Sequence, residues 1–389
     1  MKSSEFTGLT VTFLLGCVAT LVITVTEFGD LSHPTLLTAQ LLCLLLLHMV
    51  RYLRFWVSRE ALLYVGLVAY SVLSIAWTEN MHVAVTTLPA LTNCLLVLLL
   101  FGCLTAYHDL GALLAGMAAG FAAAAIFYTL TSGFPFSYPD DFSYNTIAGM
   151  YLFGLFIVML LGAYRHWPVL VLVVGPVLLL LIMATTSIKT NLGVALGIGA
   201  ATLLYFKPTA RSLFRGAVVV AVLAAGVAYA VRSDPTLQEK VQNGFERVSL
   251  GVDVLTNREG DSGRTGLGNR RGWEKEGLKG WAANPIFGNG MEAFRSDFST
   301  TSHSTPIDLL YNYGLIGFGL FYGLFASLAL RLLRARNPQF RSVRARIAVG
   351  LVAYSFISLS GLIYYEQFVA IYVAMSSALL VRLERSDYG

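Results

Sequence analysis

The sequence predicts an all-α polytopic membrane protein with about twelve transmembrane helices, and two observations lead to this fold class. The 389 residues are 56% hydrophobic and only 13% charged, with a mean hydropathy of +0.67, whereas a soluble domain carries roughly a quarter charged residues. Apolar runs near the length that crosses a bilayer recur along the whole chain. Since lipid cannot hydrogen-bond open backbone groups, each span must be a helix.

The predicted spans fall into two groups on either side of one long polar segment. They cover residues 8–26, 35–50, 61–77, 83–105, 110–131, 146–164, 168–186, 191–206 and 213–231 before it, and 306–330, 347–363 and 367–381 after it. The break between the seventh and eighth spans, TTSIKTN, is short enough to be a re-entrant turn. Three predicted domains follow: 1–231 with spans one to nine, 232–305 as a loop with short helices, and 306–389 with the last three spans.

Basic residues orient these spans. The connections RYLRFWVSRE, YRHW, KPTARSLFR and RLLRARNPQFRSVRAR all carry Arg or Lys, and they alternate with EFGDLSHP, TENMH, SGFPFSYPDDFSYN and YYEQ, which carry none. Positively charged short loops stay in the cytoplasm. We therefore expect both termini in the cytoplasm, the long loop on the outer face, and a retained first helix, because no small-residue cleavage site follows Lys2.

The long loop, from about Arg232 to Thr305, contains ten basic and ten acidic residues, but its middle is basic. Its first part, DPTLQEKVQNGFERVSLGVDVL, has helical spacing after an Asp-Pro start signal. RRGWEKEGLKGWAANP predicts a second helix, with Trp273, Leu278 and Trp281 as an apolar stripe and Pro285 at its end. Such a helix beside a membrane tends to lie in the interface. PIFGNG is interpreted as a turn that brings the backbone into close approach with another group.

The basic cluster suits a phosphate ligand. Arginine offers a planar fork of donors that matches phosphate oxygens, and a pyrophosphate needs about two such groups. We predict that Arg264, Arg270 and Arg271, helped by Lys189 in a short outer loop, bind a pyrophosphate. A solvated loop face or a contact with anionic lipids would explain the same residues. RTGLGNRR lacks the Gly-Lys-Ser/Thr ending of a nucleotide-binding loop.

His303 is the only histidine of the long loop, and it precedes a predicted helix start. Thr305 would be the N-cap, Pro306 the first helical residue, and Asp308 the acidic residue three positions after the cap. A helix N-terminus attracts anions, and a histidine near a bound phosphate can serve as a general base. An interfacial histidine that caps a turn is the structural alternative.

Neither a metal nor a cofactor is expected. Asp140, Asp141 and Glu366 lie in outer loops without the spacing of a ligand set, and arginines can neutralise a leaving group. The four cysteines lie inside apolar runs, so they predict no disulfide framework. The pairs Gly116–Gly120 and Gly193–Gly197 predict close helix packing. Nothing in the sequence indicates a nucleic acid partner.

The order of these motifs resembles the O-antigen ligase and O-antigen polymerase superfamily of bacterial envelopes. The resemblance rests on NRRGWEKEGLKGWAANPIFGNG followed by HSTPIDLLYNYGLIGFG, roughly residues 264–320, together with the plan of spans. It implies a GT-C-type glycosyltransferase of the inner membrane that faces the periplasm. Such ligases transfer a glycan from undecaprenyl pyrophosphate to the lipid A–core, so donor, acceptor and membrane lipids are the implied partners.

The resemblance also assigns residues. The family histidine matches His303, and the family loop arginine, fifteen residues before Pro285, matches Arg270. Lys189 stands where the family often has an arginine. The lysine keeps the positive charge but lacks the planar fork of N–H donors. Ser304 stands where the family commonly has asparagine. The tryptophan falls one residue early relative to Arg270, so Arg271 is an alternative equivalent.

Other functions stay open from the sequence. A polymerase that joins repeat units and a protein O-oligosaccharyltransferase would use the same lipid-linked donor. A transporter or flippase is the alternative of another class. Transporters usually place ionisable residues at mid-membrane or break helices in paired repeats, whereas here the halves show no repeat and the ionisable residues cluster at the ends of spans.

Overall fold

The computed structural model of the protein describes residues 3–28, 57–132, 144–164, 174–179, 181–182, 187–205, 232, 267–335 and 340–386. Regular structure in these ranges is helical throughout, without a strand, which confirms the all-helical class. The helices are α1 (Ser3–Phe28), α2 (Arg59–Ser74, continued by a 3-10 turn Ile75–Trp77), α3 (Met81–Tyr107), α4 (Leu110–Ser132), α5 (Tyr144–Tyr164), α6 (Ile188–Tyr205), α7 (Leu267–Ala283), α8 (Ala293–Phe298), α9 (Thr305–Arg334), α10 (Arg341–Ser358) and α11 (Gln367–Ser386).

Several of these helices have the length and composition of membrane spans. Five described segments qualify, and the apolar stretches Gly8–Thr24 and Leu110–Ile126 are shorter: the five are Arg59–Trp77, Met81–Tyr107, Ile147–Tyr164, Thr305–Arg334 and Gln367–Glu384. The predicted spans at 35–50 and 213–231 lie outside the described residues, as does most of 168–186. The protein is therefore a helical membrane protein, and the total of twelve spans remains a prediction.

Among the predicted boundaries that differ from the structure, two lie near candidate site residues. Helix α6 begins at Ile188, so the predicted loop around Lys189 is the first turn of that helix. The backbone N–H and the side-chain amide of Asn191 each donate to the Ser187 carbonyl at 3.0 Å and stabilise this turn. Helix α10 ends at Ser358, five positions before the predicted residue 363. After Ser358 the backbone leaves the helix because residues 361 and 363 bond Thr305 at the start of α9.

The chain divides into two compact units, of which the first comprises Met1–Thr24, Leu114–Leu267 and Pro338–Ala353. Its described helices approach one another at glycines. A Cβ on Gly120 would lie 2.3 Å from the carbonyl oxygen of Cys17, and one on Gly197 would lie 2.5 Å from that of Val349. Both predicted glycine pairs therefore are packing positions, because they allow one helix backbone to approach the next.

The second unit comprises Val25–Leu113, Gly268–Asn337 and Tyr354–Gly389, and a buried ionic network joins three of its helices. Glu60, at the start of α2, is 0% exposed and accepts hydrogen bonds of 2.6 Å from both Ser327 and Ser377. Arg331 bridges Glu60 at 3.4 Å and Glu384 at 3.0 Å. The N-terminal end of α2 thus meets the C-terminal parts of α9 and α11.

This network also shows which helix ends of the second unit lie together. The same end of the unit holds the C-terminus of α3, since Arg382 donates to the carbonyl of His108 at 2.7 Å. Parity predicted these four helix ends on one side, and the contacts agree. The opposite end of the unit carries the segment from Asn284 to Thr305, because the hydroxyl of Thr78 donates to the carbonyl of Met291 at 2.8 Å.

Candidate functional site

The PIFGNG turn pairs with a break in helix α9. Gly314 has φ 60° and ψ −159°, so the helix unwinds there. The amides of Asn289 and Gly290 donate to the carbonyls of Tyr311 and Asn312, at 2.9 Å each. Beyond the break, the amides of Leu315 and Ile316 donate to the carbonyls of residues 285 and 286, at 2.9 and 3.3 Å. The turn therefore satisfies the backbone groups that the break exposes.

Glycine is required on both sides of this pairing. A Cβ on Gly288 would lie 2.5 Å from the Asn312 carbonyl oxygen, and a Cβ on Gly314 would lie 2.3 Å from that of Ile286. Gly288 and Gly314 also have positive φ, which other residues adopt at a cost. The prediction that PIFGNG brings the backbone into close approach with another group is confirmed.

Helices α7 and α8 rest on the first turns of α9 through one apolar cluster. Ala293, Phe294 and Tyr311 form its buried part, and the partly buried Trp273, Phe298 and Ile307 pack around them. Helix α7 ends before Pro285 as predicted, but its packing face is different. Glycines at 277 and 280 face Ile307 and Tyr311, where a Cβ would lie 2.6 and 2.2 Å away, while Leu278 is 44% exposed. Glycines form the packing face because they allow α7 to approach α9 more closely than the predicted apolar stripe would.

His303 lies two residues before helix α9 and contacts helix α7. Its imidazole is half-buried, and its ring centroid is 6.0 Å from that of Trp273, with the planes tilted by 39°. Its Nδ1 is 3.5 Å from the Thr301 hydroxyl oxygen. The backbone of His303 has φ 56°, a left-handed conformation that is uncommon for a residue with a side chain.

Such backbone conformations are concentrated around this site. The described residues with positive φ other than glycine are Glu292, Ser299 and His303. Strained backbone of this kind persists only where surrounding contacts enforce it, and it clusters at functional sites. Glu292 and Ser299 flank α8, and His303 follows in the connection to α9, so the three conformations lie within twelve residues of one another.

The start of α9 is held by side chains rather than by the predicted cap. Ser304, not Thr305, is the N-cap, and it makes no side-chain capping bond. The Thr305 hydroxyl instead donates to the Gly361 carbonyl at 2.5 Å and accepts from the Ile363 amide at 2.9 Å. These bonds explain why helix α10 has already ended at Ser358. The prediction of a Thr305 cap was wrong by one residue, within the usual uncertainty of helix ends.

Asp308 is the centre of a buried network that the sequence did not indicate. Its Oδ1 accepts from the Ser302 hydroxyl at 2.9 Å. Its Oδ2 accepts from the Tyr364 hydroxyl at 2.8 Å and from the Asn312 amide at 3.0 Å. The Asn312 side chain in turn accepts from the Phe294 amide at 2.8 Å. Asp308 therefore fixes the segment before His303, the turn after α10 and the start of α8.

Glu292 is a second buried acid in this region. It is 6% exposed and lies between the PIFGNG turn, hereafter the glycine turn (residues 285–290), and α8. Burial, and next the negative charge of Asp308, raise the pKa of Glu292 to about 7, against smaller lowering by Arg295 and by a hydrogen bond with Thr87. A carboxyl group with this pKa exchanges protons near neutral pH. In the sequence, the only indication of this buried acid is a single acidic residue between Met291 and Ala293.

The predicted phosphate-binding residues are described to different extents. Arg270 and Arg271 belong to α7, one turn and half a turn before Trp273. The structure describes their backbone but not their side chains, and Arg264 lies outside the described residues. Lys189 is half-buried in the first turn of α6 and belongs to the first unit. His303 and the α7 backbone belong to the second unit and are joined through Trp273.

The fold and the site together define a class: a helical membrane protein whose candidate site lies at one end of a unit of spanning helices. The model of the O-antigen ligase family, Wzy_C, matches residues 173–322. This match confirms the resemblance to the O-antigen ligase and polymerase superfamily, and it includes Lys189, the basic cluster and His303. No curated protein matches the chain significantly.

Proposed function

We propose that the protein is an O-antigen ligase of the GT-C type. In this proposal it transfers a glycan from undecaprenyl pyrophosphate to the lipid A–core oligosaccharide, on the periplasmic face of the bacterial inner membrane. The observation that carries the proposal is the contact of half-buried His303 with Trp273, on the same helix as Arg270 and Arg271. This contact supports the proposal because it joins the proposed base to the helix of Arg270 and Arg271 at one end of the second unit.

His303 is proposed as the general base. With hydrogen on Nδ1 and Thr301 as its acceptor, Nε2 carries the lone pair that takes the proton of an acceptor hydroxyl. That oxygen attacks the anomeric carbon and forms the new glycosidic bond. The bond from this carbon to the pyrophosphate oxygen breaks, and undecaprenyl pyrophosphate leaves with the electron pair. One direct displacement inverts the anomeric centre.

The leaving pyrophosphate is proposed to bind the basic cluster. Its negative charge grows as it leaves, so fixed cations stabilise the transition state more than the ground state. The packing face of α7 runs through Trp273, Gly277 and Gly280, and positions three or four residues apart share a helix face. This register favours Arg270 over Arg271, with Arg264 as a further candidate.

Lys189 is proposed as a second contact for the same group. It lies in the first turn of α6, where the free amide groups of a helix attract anions and disfavour cations. A bound pyrophosphate would offset that unfavourable position. This step needs no metal and no cofactor, because the cations of the chain supply the charge.

The polymerase is the second candidate, since one donor site serves both reactions and the acceptor alone differs. The protein O-oligosaccharyltransferase shares this donor as well. A transporter or flippase would not need a base beside the pyrophosphate. The long loop between the ninth and tenth predicted spans is of modest length, which favours the ligase over a protein glycosylator.

The test is a lipopolysaccharide gel from the host with this gene deleted, beside a blot of its lipid-linked glycans. A bare lipid A–core with long polymer retained on the carrier lipid identifies the ligase. A core with a single repeat unit identifies the polymerase. Normal lipopolysaccharide in the deletion strain would refute both.

Variants in the same strain test the residues. We expect His303→Ala to reproduce the deletion while the protein still accumulates in the membrane, and wild-type activity would refute the base. Arg270→Lys keeps the charge but loses the fork of donors, so we expect a clear loss. Full activity of Arg270→Lys with loss in Arg271→Lys would reverse the assignment within the cluster.

A further inference from the structure

A cleft of about 560 Å³ opens beside the glycine turn, at the same end of the second unit as His303. Its walls come from the connection between α2 and α3, from the turn after α7, and from α8. The lining includes two aromatic rings, two amides and two carboxylates: Trp77, Phe287, Asn284, Asn289, Glu79 and Asp297. The volume is in the range of small-molecule sites.

Both rings are available to a ligand. Trp77 is 37% exposed and Phe287 is 59% exposed. Trp77 also packs against Tyr70 with ring centroids 6.0 Å apart, and the Tyr70 hydroxyl donates to the Phe287 carbonyl at 2.9 Å. The faces of aromatic rings carry negative partial charge and attract the weakly positive C–H groups of a sugar ring. The cleft thus has two aromatic surfaces, and Tyr70 contacts both the ring of Trp77 and the backbone of Phe287.

The polar groups of the cleft are also fixed. The Asn284 amide donates to Oδ1 of Asn289 at 2.7 Å, and the Asn289 amide donates to the Tyr311 carbonyl at 3.1 Å. The Tyr311 hydroxyl donates to Asp297. Amides and carboxylates held in place in this way are suited to the hydroxyl groups of a sugar, since orientation then costs little on binding.

The charge of the cleft excludes the pyrophosphate of the proposed donor. Glu79 and Asp297 are acidic, and none of the described residues that line the cleft is basic. Carboxylates at short range repel a phosphate anion. A lipid tail is excluded as well, because burying two carboxylates and two amides against hydrocarbon leaves polar groups unpaired.

We infer that this cleft is a glycan subsite, which holds a neutral or amino-substituted pyranose between Trp77 and Phe287. The inference rests on the proposed function, because the sugar belongs to one of the two glycans in the transfer. Helix α8 links the cleft to the transfer site. Ala293 and Asp297 line the cleft, while Phe294 and Phe298 pack in the cluster with Trp273, which contacts His303.

The experiment measures binding separately from transfer. The full-length protein is kept in a detergent without a sugar head group, and saturation-transfer NMR records binding of glucose, N-acetylglucosamine and glucosamine, with inorganic pyrophosphate tested as a competitor. We expect Trp77→Ala to weaken sugar binding about three- to tenfold. Phe287→Ala is the second variant, because its exposed ring is removable without opening the core. Pyrophosphate should not compete.

Two control variants distinguish a loss of sugar binding from damage to the fold and from a loss of glycan transfer. Met81→Ala removes a side chain at the start of α3 that is 61% exposed and does not line the cleft, and it should bind sugars as the wild type does. His303→Ala should bind sugars normally and transfer nothing. Wild-type protein without any sugar signal, or wild-type sugar binding by both Trp77→Ala and Phe287→Ala, would overturn the inference.

Transfer kinetics then identify the source of the sugar. A raised KM for the acceptor in Trp77→Ala assigns the cleft to the lipid A–core, and a raised KM for the donor assigns it to the lipid-linked glycan. Sugar binding through Trp77 in a protein that transfers no glycan would refute the proposed function and leave the subsite standing. Transfer with unchanged KM values in both cleft variants would refute the subsite and leave the proposed function standing.

Discussion

The indole of Trp273 lies against the imidazole of His303, with ring centroids 6.0 Å apart. Trp273 comes from the middle of α7, and His303 comes from the residues just before α9. The contact joins the helix of the basic cluster to the candidate base, so the orientation of His303 depends on how α7 packs. Packing of this kind fixes a side chain more firmly than a loop does by itself.

Trp273→Ala should lower the rate of glycan transfer by about tenfold to a hundredfold, because displacement of a base by about 1 Å costs that much. Trp273→Phe should restore most of the rate, since a ring again contacts the imidazole. The KM for the donor should not change. Transfer assays on membranes with equal amounts of each protein provide the measurement.

A double variant distinguishes positioning from general damage to the fold. If Trp273 acts through His303, Trp273→Ala combined with His303→Ala should be no worse than His303→Ala by itself, because coupled residues are not additive. Leu278→Ala is the control, since Leu278 is exposed on the same helix. A full additional loss in the double variant would show that Trp273 has a separate role.

Gly314→Ala should prevent the glycine turn from pairing with α9. The new Cβ would lie 2.3 Å from the Ile286 carbonyl oxygen, at φ 60°, so the turn, α8 and the Asn312 contacts must shift. We expect a lower melting temperature and no transfer activity. Gly319→Ala is the matched control in the same helix, where nothing lies within 4 Å, and it should be neutral or slightly stabilising. Equal melting temperatures for both variants would contradict the pairing.

Glu292→Gln should remove one pH dependence of stability. The pKa of Glu292 is raised from 4.5 to about 7 by burial and by Asp308, so the folded state holds its proton more tightly than the unfolded state. The stabilising contribution of the protonated group is complete below about pH 4.5 and is lost as the pH rises through about 7. The wild type should therefore lose more stability than the Gln variant between these values.

Melting curves at pH 5 and pH 8, followed by tryptophan fluorescence in detergent, compare the two proteins. The Gln variant should melt higher than the wild type at pH 8, and the gap should be small at pH 5. Glu276→Gln is the control, because Glu276 is an exposed partner of Lys279 on α7. A gap that is the same at both pH values would exclude titration of Glu292 in this range.

Arg331→Met should destabilise the second unit far more than Arg334→Met. Arg331 is mostly buried and bridges Glu60 and Glu384, so its removal leaves the fully buried Glu60 carboxylate without its positively charged partner. Breaking a buried pair from one side typically costs about 3–5 kcal/mol. Arg334 lies one turn later in α9 and is exposed. Thermal melting of both variants is the measurement, and similar curves would show that the network contributes little.

The sequence by itself determined that the apolar segments are helices. Lipid accepts only backbones that satisfy their own hydrogen bonds, so the apolar runs had to be helical, and α2, α3, α9 and α11 begin and end within a few residues of the predicted bounds. The arginine pattern also predicted which helix ends lie together, because positive loops remain in the cytoplasm. His303 was correctly placed just before a helix start.

Only the tertiary structure decided how the site is built. The break at Gly314, the partners of Asp308 and the contact of Trp273 with His303 join residues that are far apart in the chain, such as Tyr364 and Asp308. Periodicity and propensity describe neighbours within a few residues, so neither indicates such partners. Gly314 in the sequence is indistinguishable from a packing glycine, and only the carbonyl of Ile286 on the facing turn makes it the place where α9 must unwind.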